Sequence, residues 1–157
     1  MKLYHSLYDR LKNQHEAIGA IIQDMDEKRI MAQLEPGKWS IHDNVAHLAK
    51  YQPVFLDRIN AVLHLNNPIF NAYLAEYDPE FETWREWNTA KLLERLNSDR
   101  HEIFRFITGL TDEELDRVGI HKKRGSLNMV QWTEFFVLHE AHHIRTIFQL
   151  AHIAETK

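Results

Sequence analysis

The stretch 138-LHEAHHIRTIFQL-150 has the apolar spacing of a buried helix yet carries three histidines in five positions. With His139 at zero and about 100° per residue, Trp132, Phe135, Phe136, Ile147 and Leu150 fall between roughly −40° and 80°, defining one apolar face. His143 lies at roughly 40° and His142 at roughly −60° on the same wheel, so His139 and His143 sit inside that face and His142 at its edge. An imidazole is polar at both ring nitrogens. Burying it costs free energy unless each nitrogen finds a proton donor, an acceptor or a metal.

Most of the rest of the chain also reads as helix. Leu3, Leu7, Leu11, Ile18, Ile21, Ile22 and Met25 recur at spacings of three, four and seven, which predicts one amphipathic helix over about 3–32. Pro36-Gly37 ends it, and Ser40 with Asp43 is a capping-box signal for a second helix from Ile41 to about Leu65. The segment 68-PIFNAYLAEYDPEF-81 has two prolines and no period, and reads as a long crossover. A third helix is expected over about 82–108, closed by Gly109, and Thr111 with Glu114 caps a short helix before Gly119. A tight hairpin or loop over 119-GIHKKRGSLN-128 follows, and Asn128 with Gln131 opens the last long helix, to about residue 153. The predicted fold is all-α: a four-helix bundle with a short extra helix and a small hairpin or loop before the last helix, in one domain over 1–157.

Composition narrows the function. The 157 residues contain no cysteine, which removes disulfides, thiolate nucleophiles and cysteine-ligated zinc. A formal charge of −4 gives no general attraction to nucleic acid or anionic lipid, and the basic turn 121-HKKRG-125 is read as a solubilising loop. No secretory leader and no run of about 18 apolar residues is present, so a soluble, cytoplasmic protein is expected, with no membrane partner.

The 11 histidines are the compositional outlier. In the second helix, Tyr51, Val54, Phe55 and Val62 fall at roughly 40°, −20°, 80° and 60° from His47, placing that histidine on the flank of the core face. His42, at roughly −140°, is expected in solvent, and His5, His15, His64, His101, His121 and His152 are expected mostly at the surface. If the second and last helices are neighbours, His47 meets the His139/His143 pair. Three neutral imidazoles then converge on one point, which suits a divalent ion such as zinc or nickel with coordination positions left open.

The motif 39-WSIHDNVAHLAKYQ-52 resembles the second helix of the DinB-like (YfiT-like) superfamily of bacterial metal-binding four-helix bundles. The segments 125-GSLNMVQW-132 and 139-HEAHHIRTIFQL-150 resemble the start and body of that family's last helix. Residue by residue, the resemblance places the family's metal triad on His47, His139 and His143. Where some relatives continue His-Arg-Gly-Gln, this chain has His143-Ile144-Arg145-Thr146. Characterised relatives include bacillithiol transferases and mycothiol-dependent isomerases.

The resemblance therefore implies a metal-dependent enzyme acting with a small thiol cosubstrate, in the manner of a thiol S-transferase. A metal-dependent hydrolase and a non-catalytic metal-binding stress protein are the alternatives. Asn44, Tyr51 and Arg58, at roughly 60°, 40° and 20° on the His47 side of the second helix, are candidate substrate-binding residues. Apolar residues of the crossover, Ile69, Phe70 and Tyr73, are expected to be exposed and to support a homodimer.

Overall fold

A computed structural model describes residues 3–153. The helices are α1 (His5–Asn13), α2 (Glu16–Ile22), α3 (Glu27–Met31), α4 (Ile41–His64), α5 (Phe81–Arg85), α6 (Thr89–Thr108), α7 (Asp112–Leu115) and α8 (Met129–Ile153). Three short strands, β1 (Ile69–Phe70), β2 (Val118–His121) and β3 (Gly125–Asn128), form one small sheet in that order, β1 parallel to β2 and β2 antiparallel to β3. The bundle consists of α1–α2, α4, α6 and α8, with α4 packed against both α6 and α8, and α8 also against α1 and α2.

Two of the long predicted helices are interrupted. The first keeps its apolar face, with Leu7, Leu11, Ile18 and Ile22 buried, but it is interrupted at Gln14–His15, where the backbone stays in the α-helical region and both side chains bond other helices. It ends after Ile22, because Asp26 takes an extended conformation and accepts the Arg29 amide at 2.8 Å, capping α3. The third helix is likewise divided, since Asn88 is extended and accepts the Lys91 amide at 2.8 Å, starting α6 afresh. The Ser40/Asp43 and Thr111/Glu114 capping boxes form as expected. Asn128 and Gln131 exchange amide-to-side-chain hydrogen bonds, both at 2.9 Å, at the start of α8.

The hairpin of β2 and β3 lies flush on the bundle. A Cβ at Gly119 would meet Val62 Cγ2 at 2.6 Å and Trp132 Nε1 at 3.1 Å, so only glycine lets the strand come this close to α4 and α8. Gly125, with φ at 81°, closes the turn in the left-handed region. The crossover carries β1 and a 3-10 turn at Ala75–Tyr77 before α5. Ile69 is exposed, but Phe70 and Tyr73, expected at the surface, are half-buried: the Phe70 ring meets Trp132 edge-on, and the Tyr73 hydroxyl donates to Asp78 at 2.8 Å.

The apolar core divides into two clusters, one around Ile18, Val45, Leu92, Leu96 and Ile147, the other around Leu11, Phe55, Ile103, Trp132 and Phe136. On each bundle helix the residues between the two clusters are polar: Gln14 and His15, Lys50 and Gln52, Asp99 and Arg100, and finally His139, Glu140 and His143. A polar layer thus crosses the bundle. On one side of it Arg100, 1% exposed, pairs with Glu140, and Arg100 Nε donates to Gln52 Oε1 at 3.1 Å. The histidine group lies on the other side.

Candidate metal centre

His47 on α4 and His139 and His143 on α8 come together, each offering one ring nitrogen, with the three nitrogens within 4.8 Å of one another. The Nε2 atoms of His47 and His139 are 3.1 Å apart. Two nitrogens each about 2.0–2.1 Å from a shared tetrahedral ion stand about 3.3 Å apart, so this pair is already at ligand spacing.

Burial, reinforced by the approach of His143 and His139, pulls the His47 pKa down to about 2. His139 falls to about 3 and His143 to about 4, again chiefly through burial, with His143 and His142 respectively adding most of the remainder. All three rings are therefore neutral near pH 7 and available as ligands.

A neighbouring side chain fixes the orientation of the His143 ring. Asn44 Nδ2 donates to the Ser40 carbonyl at 2.8 Å, which turns Asn44 Oδ1 towards His143 Nδ1, 2.8 Å away. A carbonyl oxygen can only accept, so His143 carries its proton on Nδ1 and its Nε2 lone pair is bare. The Nδ1 atoms of His47 and His139 are buried without a hydrogen-bond partner. With protons there, their Nε2 lone pairs stand 3.1 Å apart, and a divalent ion held by the two rings would relieve that repulsion. The donor set fits a divalent ion of borderline softness.

Aromatic rings wall the group. Trp39 lies 5.0 Å from His47 and 6.1 Å from His143 between ring centres, Tyr73 stacks 5.8 Å from His47, and Tyr51 sits 4.6 Å from His139. Two cavities adjoin the group. One, of about 800 Å³, touches His143 and is lined largely by apolar groups including Leu34, Trp39, Phe148 and Leu150. The other, of about 410 Å³, touches His139 and is lined by Tyr51, Arg58, Tyr73, Phe135 and the turn residues Lys123 and Arg124.

Among the candidate substrate residues, Tyr51 and Arg58 line the second cavity, and Asn44 borders the first while orienting His143. His142 is exposed, at the edge of the apolar face.

Three other histidines depart from expectation. His42 is 2% exposed, its two ring nitrogens bonded to Thr89 Oγ1 at 2.9 Å and to the Arg85 carbonyl at 2.8 Å, because α5 and the start of α6 cover the side of α4 that a lone helix would show to water. His15 is 4% exposed beside Arg100, and His121, the last residue of β2, is 3% exposed with its ring against those of Trp132 and Phe135.

The segment His139-Glu140-Ala141-His142-His143 also has the His-Glu-x-x-His spacing in which a helix supplies two ligands and a glutamate base. Here the two Glu140 oxygens are taken by Arg100 and by Gln14 Nε2, the latter at 3.0 Å, inside the core. That leaves Glu140 a structural anion. Among the described residues no carboxylate joins the three histidines.

A family model for the DinB superfamily matches residues 10–147, and the chain belongs to that superfamily. A protein of Oceanobacillus iheyensis, named as a candidate metal-dependent hydrolase, is 24% identical over 146 residues, covering 91% of this chain and 82% of its own length. YfiT of Bacillus subtilis, described as a candidate metal-dependent hydrolase with an unusual four-helix-bundle topology, matches with a TM-score of 0.84. That match covers 96% of this chain and 86% of the other at 18% identity, and it establishes the shared fold.

Proposed function

We propose that the chain is a metal-dependent enzyme in which His47, His139 and His143 hold a divalent ion, zinc or nickel, and a small thiol is transferred to an electrophile. The observation that carries this reading is the pair of separate cavities, one meeting His143 and the other His139, which gives two small molecules independent access to one centre. A divalent ion at such a site lowers the pKa of a bound thiol or water and polarises an electrophile. The chain has no cysteine, so any sulfur nucleophile comes from a cosubstrate.

The protein's own residues then have distinct tasks. Asn44 holds the His143 ring in one tautomer. Trp39, Tyr73 and Phe81 keep water from the His47 side. Burial raises the Tyr51 pKa, so its phenol stays protonated and can donate a hydrogen bond next to His139.

Hydrolysis is the second reading, favoured by the names of the two similar proteins. The test is to load the protein with zinc or nickel and compare conjugation of small thiols to monobromobimane with hydrolysis of nitrophenyl esters without thiol. A rate that needs both metal and thiol, and is lost in His143→Ala, supports transfer. Thiol-independent turnover replaces it with hydrolysis. Tight metal binding with neither activity leaves the non-catalytic alternative.

A further inference from the structure

Arg58 stands apart among the deeply buried charged residues. Lys50 pairs with Glu80 at 2.6 Å, Arg100 with Glu140, Asp43 with Arg85 at 2.8 Å and Asp99 with Arg95 at 2.8 Å. Arg58 is 9% exposed, and no carboxylate of the described residues reaches it. Its contacts are neutral: Nη2 donates to the Asn71 carbonyl at 2.7 Å, Nη1 to the Tyr51 hydroxyl at a long 3.4 Å, and the guanidinium lies 5.7 Å from the Phe70 ring centre. A guanidinium has five N–H donors, so most of its capacity is unused. Burying a cation without an anion costs more than such contacts return.

The surroundings add positive charge. Arg58 lines the 410 Å³ cavity that reaches His139, and Lys123 and Arg124 from the β2–β3 turn line it too, with no acidic residue in the lining. Arg124 is braced 4.3 Å over the Phe135 ring, and the seating of Gly119 against α4 and α8 holds the hairpin at the cavity mouth. His121 Nδ1 accepts the Lys123 amide at 3.1 Å, which leaves the His121 proton on Nε2 as a further donor. The turn that reads in sequence as a solubilising loop is thus the rim of a cationic pocket.

We propose that this cavity binds the oxyanion of a small-molecule substrate, with Arg58 as its bidentate partner and Lys123 and Arg124 as the steering rim. Carboxylate and phosphate share the required chemistry: a planar fork of N–H donors meets paired oxygens, and burial strengthens the contact. That the bound anion is the substrate of the histidine centre rests on the function proposed above. The anion site itself does not, because its charged groups are Arg58, Lys123 and Arg124, and His139 borders the cavity without being a partner of the anion.

The test is titration of metal-free, full-length protein with benzoate, benzamide and inorganic phosphate, followed by calorimetry and by the NMR signals of the cavity residues. Benzoate or phosphate should bind and benzamide should not, and whichever of the two anions binds more tightly identifies the oxyanion. Arg58→Met should weaken binding by about tenfold to a hundredfold, the range for a lost charge-assisted hydrogen-bond pair. Lys123→Ala and Arg124→Ala should weaken it less and flatten its dependence on salt.

Thermal melting separates this from a structural arginine. Arg58→Met should melt no lower than the wild type without anion, and the anion should raise the wild-type melting temperature but not the variant's. His143→Ala should bind benzoate as the wild type does even if metal binding is lost, so failure of the metal reading is seen separately. Equal binding of benzoate and benzamide, undiminished binding in Arg58→Met, or a large drop in that variant's melting temperature would overturn the proposal.

Discussion

Asn44 Oδ1 lies 2.8 Å from His143 Nδ1, while the amide nitrogen of the same side chain is tied to the carbonyl of Ser40, the residue that caps α4. The start of α4 therefore sets the tautomer of a histidine on α8. Asn44→Ala should weaken divalent-metal binding by about 10–100-fold, the usual effect of removing a group that orients a ligating imidazole, with the fold intact. Calorimetric titration with zinc, checked by circular dichroism, measures both, and an unchanged affinity would show that the Asn44–His143 bond has no bearing on the ion.

His143→Ala and His142→Ala provide a second comparison on adjacent residues. The His143 ring centre is 4.5 Å from that of His47, whereas His142 is exposed at the edge of the helix face. Loss of His143 should abolish tight binding, and loss of His142 should leave it nearly intact. Similar losses in both variants would mean that the ligand pair on α8 has been misassigned.

The buried Arg100–Glu140 pair should show strong coupling. Glu140→Gln leaves the Arg100 cation, 1% exposed, without its anion and should cost about 3–5 kcal/mol. The double variant Arg100→Met/Glu140→Leu should recover most of that loss, since neither charge then remains buried. Urea unfolding of the three proteins gives the coupling energy, and additive losses would contradict it.

Stability should fall as the pH is lowered from about 6.5 towards 4, and His15 accounts for part of the slope. Burial, with Arg100 and His101 nearby, lowers the His15 pKa from 6.5 to about 4. Below pH 6.5 the unfolded chain therefore takes up a proton that the folded chain refuses until about pH 4, which favours unfolding across that window. Urea midpoints between pH 7 and pH 4, in a chelator to exclude metal linkage, should show a shallower decline for His15→Gln than for the wild type. Parallel declines would remove His15 from the account.

Gly119→Ala tests how closely the hairpin is seated. The added methyl would meet Val62 at 2.6 Å and should destabilise by about 1–3 kcal/mol through overpacking. Because Lys123 and Arg124 follow on the same hairpin, anion binding should weaken with it. A variant as stable as the wild type, with binding unchanged, would show that the hairpin can lift at no cost.

The bundle and the inward placement of His47, His139 and His143 were legible in the residues, because one α-helical period places them on apolar faces and the capping pairs Ser40/Asp43 and Asn128/Gln131 locate the starts of α4 and α8, whereas their meeting required α4 and α8 to pack side by side. A helical period predicts burial where a helix has one buried side and one wet side. On α4 between Ile41 and Gln52 no wheel applies, because every residue is buried where α3, α5, α6 and α8 cover the helix from several directions. His42 is buried there against Thr89 for that reason. The interruption at Gln14–His15 and the break before Asn88 also escaped the periodic pattern, since the apolar face continues through both while distant polar partners and a local cap end the helical segments. The positive cavity beside His139 brings Arg58 of α4 within one pocket of Lys123 and Arg124, more than sixty positions along the chain. That juxtaposition depends on how the β2–β3 hairpin docks, a long-range contact that no local spacing encodes.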